Sequence, residues 1–449
     1  YGCTEQVTSR ALPLLYLGAL AAELDIAPPE EVAPRIEAAV AAVLANQAGS
    51  GGFGLWRAES GDLWLDAYVT DFLLRAEAEG YALPATARRI ALDNLANALA
   101  YAPDFETGGE DIAYALHVLA RAGRASIGDL RYYADARAGA FATPLALAQL
   151  GAALALYGET ARADAMFRRA AADALGLEAE VPRWRADYGS HLRDIAGVLA
   201  LAAEAGSEAV DRAALAEAIA VRTEAGGWRS TQEMTWMLLA ARALSDGEEA
   251  AGVTLEGRPL ARTLRHTLSM ADGPVRLANG GAAALPATIT RFGVPLTPPP
   301  AGGRGYVLER AYYTLEGAPV SPEAVAQNTR LVTVLTLRAE RDEAARMMVE
   351  DPLPAGFEID NPRLLRAGDV AGLDWLETAD VALHSEALED RFRVALDLNG
   401  RGVTRLAYIV RAVSPGVFHH AAARAEDMYR PAFRAWTDAG RVEVLGPTR

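Results

Sequence analysis

Apolar residues recur at helical spacing from the first residues to about position 246, and in short alternating runs thereafter. The helical part predicts elements near 5–23, 29–46, 62–79, 84–100, 109–122, 127–136, 142–156, 159–173, 189–204, 207–221 and 229–245. Pro13 should break or kink the first, because proline lacks the N–H that a helix interior uses. Turn signals separate the others: Pro28-Pro29, Gly49-Ser50-Gly51-Gly52, Gly80, Gly108-Gly109, Gly123, Gly206 and Gly226-Gly227.

Two stretches read as diverged copies of one unit. Gly51-Gly52-Phe53 and Trp56 precede the Trp64–Leu74 helix, and Gly226-Gly227-Trp228 and Ser230-Thr231-Gln232 precede the helix with Trp236 and Leu238. A repeated Gly-Gly-aromatic turn before a helix signals a helical array. Such helix pairs stack as a solenoid or close into an α/α toroid. A toroid of six pairs would need one helix more than the spacing predicts, and that helix would lie upstream of Tyr1.

After Ser245-Asp246-Gly247 the period changes. Short runs at Val253–Leu255, Val275–Leu277 and Ala287–Val294, closed by Pro298-Pro299-Pro300, predict a small β module over 247–302. From there to residue 449 the chain reads as an all-β sandwich. Its predicted strands are Tyr306–Leu315, Arg330–Arg338, Ala345–Glu350, Arg391–Leu398, Thr404–Arg411, Gly416–Ala422 and Val442–Leu445. The expected domains are therefore 1–246, 247–302 and 303–449.

Composition narrows the function. The chain of 449 residues is 51% hydrophobic, enough for sizeable cores in two or three domains, with no apolar run of membrane-spanning length. It opens without an initiating Met or a signal peptide, directly on a cysteine motif, and reads as a fragment of something longer. A net charge of −16 argues against nucleic acid as a partner. With one cysteine there is no internal disulfide. All 43 basic residues are Arg. A GC-rich genome accounts for that, as would selection against primary amines in a chain that stores an amine-reactive group.

The candidate chemistry lies in Tyr1-Gly2-Cys3-Thr4-Glu5-Gln6. Cys3 and Gln6 fall on neighbouring positions of a first helical turn, where backbone N–H groups and the helix dipole favour thiolate. A thiolate held against a side-chain amide can expel ammonia and close an internal thioester. Taken alone, a lone cysteine at a helix start is more often an incidental buried thiol. Here the stretch resembles the thioester motif Gly-Cys-x-Glu-Gln of the α2-macroglobulin and complement family, with Gly2, Cys3, Glu5 and Gln6 matching and Thr4 at the variable position. Arg310-Ala311-Tyr312-Tyr313, Asp351-Pro352-Leu353-Pro354-Ala355-Gly356-Phe357-Glu358 and Ala425-Glu426-Asp427-Met428-Tyr429-Arg430-Pro431 resemble the terminal macroglobulin-like domain of bacterial members.

That resemblance implies an α/α toroid thioester domain, one half of a CUB-like sandwich in 247–302, and a macroglobulin-like β-sandwich at the end. It implies the C-terminal part of a protease-trapping inhibitor: a protease amine, typically from Lys, attacks Gln6, and Cys3 leaves as thiolate. It also implies a periplasmic setting, with membrane association only through an anchor upstream of this chain. The chemistry calls for no cofactor and no metal, and one acylation without turnover is not enzymatic. In some family members a toroid histidine relays the acyl group. His117 is the candidate here, although its surroundings lack the relay motif and a lone helical histidine is more often packing. Tyr429, in an aromatic, Pro-stiffened loop, is the candidate shield of the thioester, or else a core residue of its own sandwich.

Two other classes remain open. A toroid enzyme such as a terpene cyclase would need an Asp-rich DxDD motif, which is lacking. A glycosidase would need a carboxylate pair. Glu110 and Asp111 are available but read as the solvated first turn of a helix. Trp56, Trp64, Trp184 and Trp228 could line a sugar cleft, but the repeat-turn tryptophans read as repeat core. The third class is a non-covalent binding protein in which the Cys3–Gln6 bond never forms.

Overall fold

The computed structural model describes residues 2–16, 29–177, 183–224, 227–245, 252–259, 269, 273–281, 293–360, 369–378 and 382–446. It divides into two compact units, one carrying the helices and a small sheet, the other the larger β-sheets. The helices are α1 (Thr4–Ala11), α2 (Pro29–Ala45), α3 (Leu63–Ala78), α4 (Ala85–Ala100), α5 (Glu110–Arg121), α6 (Ile127–Tyr132), α7 (Pro144–Leu156), α8 (Thr160–Gly176), α9 (His191–Glu204), α10 (Arg212–Glu224) and α11 (Thr231–Ser245). Each predicted helix has a counterpart. The first is broken at Pro13, as expected: α1 ends at Ala11, Leu12 donates its N–H to the Thr8 carbonyl, and the helix resumes over residues 14–16. The predicted continuation beyond residue 16 lies outside the described residues.

Alternate helices pack in series. α1 lies against α3, α3 against α5, α5 against α7, α7 against α9, α9 against α11, and α11 returns to α1. Of these, α3, α5, α7 and α9 are buried on nearly every side. The helices between them bury one stripe, such as Ala91, Leu92 and Leu95 in α4, or Ala163, Met166, Phe167, Ala170, Ala171 and Ala174 in α8. Side-chain caps fix where the inner helices begin: Asp62 accepts from the Leu65 N–H, Thr143 from Ala146 and Ser190 from Arg193. Trp64, Tyr68, Tyr114 and Tyr188 form one aromatic cluster between inner helices, so Trp64 is core rather than a sugar platform. No helix among the described residues is long and apolar enough to cross a membrane.

After the helices come three short strands, Val253–Leu255, Arg258–Pro259 and Leu277–Asn279, paired antiparallel with the first in the centre. Most of the predicted Ala287–Val294 run lies outside the described residues.

The second unit is built on a five-stranded and a six-stranded sheet. The first is ordered Phe357–Ile359, Gly402–Ala412, Arg330–Ala339, Tyr306–Tyr313, Pro319–Val320. The second runs Ala382–Ala387, Arg391–Asn399, Ala344–Pro352, Arg424–Asp427, Arg434–Trp436, Gly302–Arg304. A three-stranded sheet, Gly416–His420, Gly440–Leu445, Ala324–Ala326, completes the unit. Leu335 and Leu337 of one large sheet share a core with Met347, Val349, Val394 and Leu396 of the other, each a strand's alternate positions. The strands unread in the sequence, such as Ala382–Ala387 and Arg434–Trp436, are short and carry no clean alternation of apolar residues.

The segments that carried the family resemblance in this unit are its polar anchors. Arg310 donates to Asp351 at 2.6 Å and to the Ala421 carbonyl at 3.0 Å, and Tyr408 donates its hydroxyl to the same carboxyl at 2.8 Å. Asp427 accepts from Arg430 Nε at 2.8 Å and from the backbone N–H groups of Tyr429 and Arg430.

Candidate functional site

Cys3 is the N-cap of α1: its backbone is extended, and its carbonyl accepts the first helical hydrogen bond, from Val7 at 2.9 Å. The two turns that follow are polar in sequence yet buried. Cys3 is 0% exposed and Gln6 3%, and Thr4, Glu5, Thr8 and Ser9 are buried with them. Buried polar groups are costly unless paired, so each of these side chains demands a partner.

Thr4 finds its partners on the first Gly-Gly-aromatic turn. Its N–H donates to the Leu55 carbonyl at 2.8 Å, its hydroxyl donates to Gly54 at 2.6 Å, and Asn46 donates to that hydroxyl at 2.8 Å. The turn is shaped by glycine. Gly51 has φ +99°, and a Cβ there would meet the Ile90 carbonyl oxygen at 2.0 Å; one on Gly52 would meet Ser60 Cβ at 2.5 Å. Asp66 of α3 fastens the turn by accepting from the Phe53 N–H at 2.6 Å and from Asn94 at 2.8 Å. Burial pushes the Asp66 carboxyl up to about 6.

Glu5 finds its partners at the other end of the helical sequence. Gln232 donates to it at 2.7 Å, the Thr231 hydroxyl at 3.2 Å, and Ser9, one turn along α1, donates its hydroxyl to the same carboxyl. The Tyr68 hydroxyl lies 2.8 Å from Ser9 Oγ. Burial and then the Glu5 charge raise the Tyr68 phenol above its ordinary range, which keeps its proton available for hydrogen bonding.

Gln6 differs from its neighbours. Its Oε1 is buried and has no hydrogen-bond partner among the described residues. A carboxamide oxygen left so costs about 1–3 kcal/mol. Cys3 and Gln6 stand one turn apart on a helix held from two sides.

The remaining candidates lie elsewhere. His117 sits on α5 within an ion network: Arg75 pairs with Asp71 at 2.9 Å and with Glu204 at 3.0 Å, and Arg121 with Glu204 at 2.9 Å. Burial first, and then Arg121, push its pKa down to about 4, so it is neutral at physiological pH. It lines a cleft of about 260 Å³ with Arg121, Leu156, Leu201 and Glu204. Tyr429, in the second unit, is 4% exposed. Glu110 and Asp111 are half-buried rather than solvated, and burial raises both carboxyls. Trp228 is 65% exposed, so it is not repeat core as its place in the repeat suggested; Trp56 is half-buried.

The second unit belongs to a recognised class: residues 305–432 match the bacterial alpha-2-macroglobulin MG10 domain. Over its whole length the chain is a homologue of the bacterial α2-macroglobulins. It is 30% identical to an alpha-2-macroglobulin of Xylella fastidiosa (strain Temecula1 / ATCC 700964) over 98% of this chain, and 29% identical to that of Escherichia coli K12 over 100% of it. It spans only 28% of the length of each. Among solved structures it matches Salmonella alpha-2-macroglobulin reacted with methylamine (TM-score 0.84, 28% identity, 99% of this chain and 30% of that one). It also matches native E. coli alpha-2-macroglobulin from domain MG7 to the C-terminus (TM-score 0.80, 27% identity, 100% of this chain and 73% of that one).

Proposed function

We propose that this chain carries the acylating end of a protease-trapping inhibitor, with an internal thioester between Cys3 and Gln6. The thiol adds to the Gln6 carbonyl carbon, the C–S bond forms, the C–N bond breaks, and ammonia leaves with the thiol proton. A primary amine of a cut and captured protease later attacks the same carbon, and Cys3 departs as thiolate, a good leaving group. The protease is held by an amide, once and without turnover. The observation that carries this reading is the buried Cys3–Gln6 pair, in which Gln6 Oε1 has no hydrogen-bond partner among the described residues while Thr4 and Glu5 beside it are paired. A Salmonella relative crystallised after reaction with methylamine lends support.

In this reading the serially packed helices are an α/α toroid over 1–246, residues 247–302 are half of a CUB-like sandwich, and 303–449 form the terminal macroglobulin-like sandwich. The intact protein works in the periplasm. His117 lies beside the Arg121–Glu204 pair rather than among the groups that hold the first turn of α1, which favours direct transfer to amines over a hydroxyl relay.

Intact mass tests the proposal. Freshly purified native chain should be lighter than its sequence by one ammonia and resist thiol alkylation. Methylamine should then add once and free one thiol. Full sequence mass with immediate alkylation of Cys3 in native chain would overturn it.

A thioester survives only where water is kept out, and aromatic groups exclude it well. Tyr429 is our proposed shield. In the full-length resting protein Tyr429→Ala should expose the Cys3 thiol sooner, with an unchanged circular dichroism spectrum. If variant and parent keep their thioesters equally long, Tyr429 is a residue of its own sandwich only.

A further inference from the structure

The hydrogen bonds around α1 carry a consequence for how the Cys3–Gln6 pair is positioned. Both residues that lie between them in sequence are gripped, from opposite ends of the helical region. Thr4 is held by the loop ending at Leu55, close in sequence. Glu5 is held by the first turn of α11, more than two hundred residues away: Gln232 Nε2 donates to Glu5 at 2.7 Å and to Ser9 Oγ at 3.2 Å, and Thr231 to Glu5 at 3.2 Å. Thr235, one turn on, donates its hydroxyl to the Ser9 carbonyl at 2.7 Å. Gln232 is 0% exposed and Thr235 1%. These contacts fix both the rotation of α1 about its axis and its height along it, the two freedoms that set where the thiol meets the amide carbon.

We infer that Gln232, with Thr231 and Thr235, is a positioning group for thioester closure, and that the bond forms only after α11 has docked on α1. The inference rests on the thioester reading above. α11 is the last helix before the β segments, so it completes the helical packing that returns to α1. Before it docks, Glu5 keeps the Ser9 hydroxyl of its own helix but lacks the Gln232 and Thr231 donors, and the first turn of α1 samples orientations in which thiol and carbonyl carbon do not meet. Misplacement of reacting atoms by about 1 Å can cost on the order of a hundredfold in rate. The chemistry is thereby tied to completion of the fold, and an incompletely packed chain does not arm itself.

The test compares the fraction of ammonia-deficient chain, by intact mass, in the parent, Gln232→Leu and Thr235→Val, all purified without exposure to amines. Leu199→Ala, in the wall of α9 and away from α1, serves as a variant that destabilises the same helical region. Gln232→Leu should lower the ammonia-deficient fraction about tenfold or more, and Thr235→Val, which keeps side-chain shape, to an intermediate level. Leu199→Ala should keep the parental fraction even where its melting temperature falls as far. Gln232→Asn, which retains the amide, should recover more of the bond than Leu. If the parent carries the deficit and both α11 variants carry it equally, the positioning role is overturned while the thioester stands. An equal loss in Leu199→Ala would assign the effect to stability and overturn it as well. A parent of full sequence mass would overturn the thioester and this inference together. If Gln232→Leu does not fold, Thr235→Val alone decides between the first two outcomes.

Discussion

Cys3→Ala should abolish methylamine uptake, from one per chain to none, and return the chain to its full sequence mass while leaving the fold in place. The thiol is 0% exposed and is lost with little volume, so the structural cost should be of order 1 kcal/mol. The chemical effect is complete because no other group can take its part: the chain has a single cysteine. Gln6→Glu is the complementary variant. A carboxyl has no ammonia to lose, so the bond should not form, and Cys3 should alkylate once the protein is opened with denaturant. Both variants should melt within a few degrees of parental protein kept in the open, amine-reacted form. Methylamine uptake that persists in Cys3→Ala would show that the amine is captured elsewhere and would sink the assignment.

The helices were legible because an apolar stripe at period 3.6 is a local signal, and Gly51 and Gly52 announced a turn that only glycine can make. Cys3 and Gln6 were legible as a pair because their spacing is local too. What surrounds them was not. Thr4, Glu5, Gln6, Thr8 and Ser9 are polar in sequence, yet all are buried. Their burial is made possible by Leu55, Gln232 and Thr235, and no local pattern links Glu5 to a glutamine 227 positions away. The same limit explains Glu110 and Asp111, whose partial burial comes from packing of neighbouring helices. It explains Trp228 in reverse: its place in a repeat implied core, but packing leaves it exposed. In the sandwich, long alternating strands such as Arg330–Ala339 stood out, whereas short polar ones such as Ala382–Ala387 exist only because a neighbouring strand pairs with them.

The largest effect expected on stability lies in the second unit, at the pair that joins two of the family-like segments. Arg310→Leu should destabilise the sandwich by about 3–5 kcal/mol, the usual result of removing one partner from a buried ion pair. Arg310 and Asp351 are 6% and 0% exposed at their side chains and 2.6 Å apart. Burial already outweighs the pull of Arg310 and holds the Asp351 carboxyl above its ordinary range. Without the guanidinium, only the Tyr408 hydroxyl remains to satisfy it among the described residues, and the Ala421 carbonyl loses the Arg310 donor. Against a domain stability of about 5–15 kcal/mol this is a large fraction, and the melting temperature should fall by roughly 10 °C. The sign of the pH dependence follows. With the carboxyl raised further in the folded state, the variant's folded state binds a proton more tightly than its unfolded state. Its stability relative to the parent should therefore be highest below the ordinary aspartate range and be lost as pH rises through the elevated value. The double variant Arg310→Leu, Asp351→Leu should recover most of the loss and lose the pH dependence contributed by Asp351, since no buried charge is then left alone. Urea unfolding of the chain at pH 5 and pH 8 reads both effects. A single variant within about 1 kcal/mol of the parent at pH 8 would mean that Asp351 is served by another donor and that the Arg310–Asp351 bond does not hold the sandwich together.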